Sequence, residues 1–384
     1  MPTDWTMEMT GKMTEFNVMS KEIRVLHVGP GFRQRGGVAS VLRELRAAQS
    51  LFSENSIQIE FFETRGFKGW KNKLLFFLAD IPRFSWRVVN GINLVHLHVS
   101  PRGSMLRKWI LYKVARCFRI ATIFHWHSDN LALSVDHANP LLKRSFRKFI
   151  EASDEAIGVS TEIAGDIRAL RKTATVRVIG NSALNAERIA RCGPARFMSE
   201  RANEPYIAFS GRFVDEKGIA DLFAAVAILK NKARPVRLKL AGTGETYKWR
   251  RLAHDIGIED CISFSGWLQD IEFMDFYRNA WMFCLPSHRE PFGIATLEAM
   301  LCGLAVVGTK SGGFLDLVKH GQTGYLVDPR NAEQLAMAIE AVMDDPELSW
   351  KMGEAGRQYG LERYSFKRVC EDYIKCYREL QRRK

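Results

Sequence analysis

Residues 281–309 read WMFCLPSHREPFGIATLEAMLCGLAVVGT. The apolar run Trp281 to Leu285 ends at Pro286, the signature of a short buried strand. A polar loop follows. Gly293 then opens a helix that carries Glu298 in its early turns, and Gly303 sits where a helix C-cap belongs. Leu304 to Thr309 is a second apolar strand. Strand, helix and strand in this order imply parallel strands with helices packed on the sheet. Ligands of such sheets bind beyond the carboxyl ends of the strands, so the loop after Leu285 is where chemistry is expected.

The same alternation extends in both directions. Downstream of Pro205, strands are expected at Tyr206 to Ser210, Val236 to Ala241, Ile262 to Phe264 and Tyr325 to Val327, with Asp221 to Lys230 in a helix. Upstream, strands are expected at Ile23 to Val28, Ile57 to Phe62, Leu94 to Val99 (LVHLHV), Ala121 to His125, Ala156 to Ser160 and Val176 to Ile179. Helical spacing covers Val38 to Ala48 and Met105 to Phe118. No clear strand falls between Asn185 and Asn203, which marks the domain junction. A chain of 384 residues exceeds one small core and suits two doubly wound domains with a cleft between them. The last segment, Phe366 to Arg383, is helical and places Val369, Tyr373 and Tyr377 on one stripe.

Composition narrows the class. The chain is 46% hydrophobic and 26% charged, and no low-complexity tract interrupts it, which excludes a disordered or fibrous protein. Its seven cysteines form no CxxC pair and no zinc spacing, so they are expected as small core thiols. The longest apolar run, Leu74 to Ala79, is far short of the roughly 20 residues that span a bilayer. The first twenty residues hold no continuous apolar segment and read as a disordered leader, not a signal peptide. Residues 1–200 hold 30 Lys+Arg and 18 Asp+Glu, a net of +12, against 26 and 25, a net of +1, for residues 201–384. The first half should therefore attract an anionic membrane, nucleic acid or acidic substrate, unless its charge is only a solvated face.

Four constellations sit at expected strand ends. Gly29 to Gly37 (GPGFRQRGG) lacks the dinucleotide spacing, yet Gly36 and Gly37 directly before a helix suit a phosphate. His125 and His127 in FHWHSD (124–129) point the same way if the strand continues. With Asp129 they could hold a metal, but no third ligand is evident, so a substrate hydrogen bond fits better. Ser210 to Gly218 (SGRFVDEKG) offers Arg212 and Lys217, a fork and a point charge suited to a diphosphate. In the quoted loop and helix, Glu290 and Glu298 would be about 80° apart on a single helix. With Glu290 in the loop, both can line one pocket at the helix N-terminus, where carboxylates accept hydrogen bonds from vicinal hydroxyls.

These residues resemble the retaining glycosyltransferases of family GT4, whose GT-B fold is α/β, with two Rossmann-like doubly wound domains facing a central cleft. Glu290 and Glu298 match the E-x7-E motif. The resemblance continues through EPFGIATLEAMLCGLAVVGTKSGGFLDLVKHGQTGYLVDP (290–329), GRFVDEKG (211–218), GPGFRQRGGV (29–38) and HLHVSPRGS (96–104). It covers nearly everything from Ile23 to Tyr364. It implies an acceptor-binding domain over residues 21–190, a nucleotide-sugar-binding domain over 191–364, and a C-terminal helix over 365–384 that returns to the first domain. By position, Arg212 and Lys217 would bind the donor diphosphate, with Gly36 and Gly37 approaching it from the other domain. Glu298 would bond the ribose and Glu290 would face the transferred sugar. The amides of Phe292, Gly293 and Ile294 would serve sugar and phosphates. His127, favoured over His125 as the family histidine, would sit near the reacting carbon, with His125 and Asp129 as further sugar or acceptor contacts.

The sequence departs from the family at Gly312-Gly313-Phe314-Leu315-Asp316, where proline and glutamate are usual after the two glycines. No Asp-x-Asp motif stands at a strand end, in keeping with metal-independent transfer and no cofactor beyond the donor. The expectation is a retaining transferase moving a hexose from a UDP- or GDP-linked donor to a lipid-linked sugar acceptor in cell-surface polysaccharide synthesis. It would work in the cytoplasm, peripherally on the inner face of the membrane. Basic and aromatic residues interleave in KGWKNKLLFFLADIPRFSWRVV (68–89), and Lys143, Arg144, Arg147 and Lys148 form a second basic cluster, which suits an anionic membrane surface. The alternatives are a non-enzymatic membrane- or nucleic-acid-binding protein, which leaves the two glutamates and the Arg-Lys pair unexplained, and a nucleotide-sugar epimerase on the same fold.

Overall fold

The computed structural model describes residues 22–34, 36–67, 69–172, 175–183, 205–268 and 270–383. The leader, the whole junction at 185–203, Lys68 and Cys192 lie outside them. The first sheet contains β1 (Ile23–Gly29), β2 (Ile57–Glu63), β3 (Leu94–Val99), β4 (Ala121–Trp126), β5 (Glu155–Gly158) and β6 (Val176–Val178). Its order is β2-β1-β3-β4-β5-β6, with every pair parallel. The second contains β7 (Tyr206–Phe213), β8 (Arg237–Gly244), β9 (Ile262–Gly266), β10 (Ala280–Leu285), β11 (Ala305–Thr309) and β12 (Gly324–Val327). It is also parallel, in the order β12-β11-β10-β7-β8-β9. These are two doubly wound, Rossmann-like units. The order reverses between β1 and β3 in the first and between β7 and β10 in the second, and a crevice opens at such reversals.

Helices on both faces explain the apolar character of the strands. All six residues of β3 and of β4 are buried, so neither shows an exposed face. Helix Phe366–Arg382 is capped by the Ser365 side chain, which accepts from the Arg368 amide. It buries Val369, Tyr373, Ile374, Tyr377 and Leu380 in a core shared with Ile23 and Val25 of β1, and with Phe52. Each such apolar side chain contributes about 1.5–3 kcal/mol on burial. Of the cysteines described, Cys261, Cys284, Cys302, Cys370 and Cys376 are buried and Cys117 is exposed, all as free thiols.

The segment after β2 forms helix Trp70–Leu75, a π-helical turn Phe76–Asp80 and helix Ile81–Val89. Phe76, Phe84 and Val88 point into the core, whereas Trp70, Leu74, Leu75, Phe77, Leu78, Trp86 and Val89 are exposed. Among the described residues, no helix is long and apolar enough to cross a membrane.

The two domains meet at a polar seam. Arg289 donates to Asn130 Oδ1 at 2.7 Å and to Asp166 Oδ2 at 2.5 Å, and its Nε lies 3.2 Å from Glu162. The amide of Gly312 donates to Glu162 at 2.6 Å, and that of Thr161 to Asp316 at 2.6 Å.

Candidate active site

The order reversal of the second sheet brings two loops together. β7 runs on to Phe213, so Arg212 is the second-last residue of the strand, exposed, not in the loop beyond it. Lys217 ends a short 3-10 turn, Asp215–Lys217, directly after β7. Its Nζ donates to Glu290 Oε2 at 2.5 Å, in the loop after β10. Ser287 Oγ donates to the same oxygen at 3.2 Å. Gly218 permits the approach: it has φ 67°, and a Cβ there would lie 2.0 Å from the Pro286 carbonyl oxygen. Only glycine tolerates both conditions. The side chains of Lys217 and Glu290 are 18% and 10% exposed, so this ion pair is poorly screened.

Helix Ile294–Leu301 starts at Gly293, whose φ of 98° turns the chain into it. Glu298 sits on this helix, with the Tyr277 hydroxyl donating to it at 3.4 Å. Burial raises its carboxyl to about 8, opposed by the Tyr277 hydrogen bond. The glycines of the departing motif have a steric role. A Cβ on Gly312 would fall 1.9 Å from the Glu290 carbonyl oxygen, and one on Gly313 would fall 2.2 Å from that of Phe292. The Gly313 amide donates to the Glu290 carbonyl at 2.7 Å. Leu315 is exposed and Asp316 faces Thr161 at the seam.

From the first domain, Gly36 (φ 134°) caps helix Gly37–Ala47. A Cβ on Gly37 would lie 3.7 Å from Ile294 Cδ1, which places this loop opposite the start of the Glu298 helix. Asp129 is tied to its neighbours, accepting from Ser128 Oγ at 3.1 Å and Asn130 Nδ2 at 3.4 Å. His127 follows β4, held by its amide to the Val99 carbonyl at 3.0 Å, and its side chain is partly exposed.

His125 is a correction. β4 continues through Trp126, which puts His125 inside the strand, and it is 0% exposed. It cannot touch a sugar or acceptor in this arrangement. The absence of a third histidine is also corrected, because parallel pairing of β1, β3 and β4 supplies His27, His96 and His98, which the sequence reading had not singled out. The triads His27–His96–His98 and His98–His125–His127 each have ligand atoms within 4.8 Å of one another and could hold a metal ion. In this structure their nitrogens face one another at hydrogen-bond distance. His98 Nδ1 is 2.8 Å from His127 Nε2, His98 Nε2 is 2.9 Å from His27 Nδ1, and His96 Nε2 is 3.0 Å from His125 Nδ1. The Tyr377 hydroxyl lies 3.2 Å from His27 Nε2 and 2.8 Å from His96 Nδ1. Burial holds all five imidazoles below their ordinary range, His27 and His127 at about 3.

Residues 196–359 match the family model "Glycosyl transferases group 1". This match makes the chain similar to the GT4-like glycosyltransferases. It is 27% identical over 294 residues to the uncharacterized glycosyltransferase YqgM of Bacillus subtilis, covering 75% of this chain and 78% of that protein. It is 33% identical over 174 residues to the lipopolysaccharide core biosynthesis glycosyltransferase LpsE of Rhizobium meliloti, covering 45% of this chain and 49% of that one. LpsE is thus matched over about half its length. Among solved structures, Anabaena HepE in complex with UDP-glucose superposes with a TM-score of 0.69 at 19% identity, over 93% of this chain and 100% of HepE. That likeness carries the fold, which is GT-B.

Proposed function

We propose that this glycosyltransferase is a retaining, metal-independent hexosyltransferase using a UDP- or GDP-linked sugar. The observation that carries the reading is the Lys217–Glu290 pair at the sheet's order reversal, with Arg212 exposed near the end of β7 and Gly37 opposite Ile294 at the start of the Glu298 helix. Breaking the anomeric bond builds negative charge on the leaving diphosphate. Lys217, Arg212 and the amides of Phe292, Gly293 and Ile294 stabilise that charge at no cost of reorganisation. Glu298 accepts from the ribose hydroxyls, which favours the ionised carboxylate and opposes the upward pull of burial. His127 lies at the sugar, and Asp129 shapes the loop beside it. The sugar becomes oxocarbenium-like, as in glycoside hydrolysis. Attack comes from the same face, the leaving phosphate takes the acceptor proton, and Glu290 positions the sugar.

HepE is solved with UDP-glucose and LpsE is named for lipopolysaccharide core synthesis. The first supports a nucleotide-sugar donor and the second a cell-surface glycan product. The acceptor is lipid-linked in this reading, and the first domain docks on the cytoplasmic membrane face. Support comes from the exposed apolar side chains of Trp70, Leu74, Phe77, Leu78 and Trp86, interleaved in the chain with Lys71, Lys73 and Arg83. Retention on anionic vesicles over neutral ones is expected, and equal partition refutes docking.

A thermal-shift panel with UDP, GDP, ADP and CMP in EDTA tests the donor. One diphosphate raising the melting temperature without metal supports the assignment. Dependence of the shift on added divalent cation refutes metal independence. Anomeric configuration of the product, read by NMR, tests retention.

A further inference from the structure

The five histidines and Tyr377 form one unbroken hydrogen-bonded chain: His127, His98, His27, Tyr377, His96, His125. His27, His96, His98 and His125 are at most 1% exposed. At His125, Nε2 is buried with no partner. At the other end, His127 is partly exposed, and its Nδ1 is not buried without a partner. A neutral imidazole has one N–H and one bare nitrogen, so each ring donates on one side and accepts on the other. Every link is then fixed once any one is fixed, and only two polarities exist. One ends on a buried, unpaired N–H at His125. The other leaves a bare nitrogen there and puts a proton on Nδ1 of His127, the nitrogen turned away from His98. Orphaned buried N–H groups are the rarer and costlier kind. Inverting the polarity would also require delivering a proton to the sealed Nε2 of His125.

We propose that this chain fixes the tautomer of His127, holding its proton on Nδ1 as a hydrogen-bond donor to a hydroxyl of the bound sugar. His98, His27, Tyr377, His96 and His125 are thus positioning residues acting through His127. The donor role rests on the reading of the cleft as the donor-sugar site. The tautomer itself does not.

Long-range 1H–15N correlation on histidine-labelled full-length protein reads each tautomer directly, with His127 assigned by His127→Gln. Protonated Nδ1 and bare Nε2 at His127 are expected in the free wild-type protein. Tyr377→Phe cuts the chain at its centre and is expected to give a mixture of His127 tautomers. It should also lower kcat/KM for transfer about tenfold, the worth of one well-placed hydrogen bond, with diphosphate affinity unchanged. Tyr373→Phe removes a buried hydroxyl that has no partner and should leave both readouts alone. The proposal is overturned by a wild-type His127 protonated on Nε2, by a folded Tyr377→Phe protein whose His127 tautomer is unaltered, or by one equivalent of zinc bound to these histidines on metal analysis. The wild-type spectrum decides even if Tyr377→Phe does not fold. If the tautomer is as expected but no nucleoside diphosphate binds, the donor-site reading fails and the chain stands.

Discussion

Replacing Gly312 by alanine tests whether the glycine pair after β11 exists to let the Glu290 loop close. Gly312 has φ 56°, and the new Cβ would lie 1.9 Å from the Glu290 carbonyl oxygen, where ordinary contact begins at 3.4 Å. The oxygen must retreat by 3.4 − 1.9, about 1.5 Å, which breaks the 2.7 Å bond from the Gly313 amide. Left-handed backbone in a residue with Cβ costs about 1–2 kcal/mol, and the lost bond adds about 0.5–1.5 kcal/mol, for a total of about 1.5–3.5 kcal/mol before residual strain. Displacing Glu290 by an ångström or more is expected to lower kcat/KM about 100-fold. Gly321 has φ 76° with nothing within 4 Å of its Cβ. Gly321→Ala therefore isolates the backbone cost, about 1–2 kcal/mol, and should leave turnover intact. Urea unfolding and nucleotide release from the sugar donor measure the two quantities. Equal stability losses in both variants, or Gly312→Ala turning over within twofold of wild type, would refute the reasoning.

Other outcomes follow from particular contacts. Lys217→Met leaves the Glu290 carboxylate buried without its cation and removes charge from the leaving group, so transfer should slow about 10²–10³-fold, and a rate within threefold of wild type contradicts the assignment. Glu44 is buried beside Ser182, and burial raises its carboxyl to about 8 from an ordinary 4.5. Its contribution is complete below pH 4.5 and is lost as pH rises through 8, at about 1.4 kcal/mol per unit between them. Glu44→Gln should thus gain on wild type with rising pH, and parallel stability curves from pH 4.5 to 8 would count against the shift. Lys108 is buried, with Nζ donating to Thr64 Oγ1 at 2.6 Å, and burial lowers its ammonium well below the ordinary range. The unfolded chain keeps that proton to higher pH, so wild-type stability should rise with pH relative to Lys108→Met, up to the ordinary lysine range. Arg289→Ala should enlarge the radius of gyration in X-ray scattering, and an unchanged radius would show that the domain seam holds without it.

The α/β class was legible because parallel strands buried on both faces print as apolar runs, as LVHLHV and AWMFCL do. Strand ends were less legible. β4 and β7 run further than expected because the ladder to a neighbour continues through Trp126 and through Arg212. That extension removed His125 from the cleft. Glu290 and Glu298 could be named from spacing, but the contact of Lys217 with Glu290 spans 73 residues and depends on the strand order. The histidine chain was half visible. His96/His98 and His125/His127 each alternate on one face, but their meeting with His27 and Tyr377 requires β1, β3, β4 and the last helix to be neighbours. The partners of Arg289 lie 123 and 159 residues away, and nothing local announces them.

Arg289 and Glu290 are consecutive, yet they face opposite tasks. The arginine grips Asn130, Glu162 and Asp166 of the first domain, while the glutamate holds Lys217 inside the second. The peptide between them is about 3.8 Å from Cα to Cα and cannot stretch. Any hinge motion that pulls Arg289 off its acceptors therefore tugs on the carboxylate next door. If Lys217 and Glu290 serve the donor as proposed, opening the seam at Arg289 would disturb the donor site as well, and the two would have to be restored together.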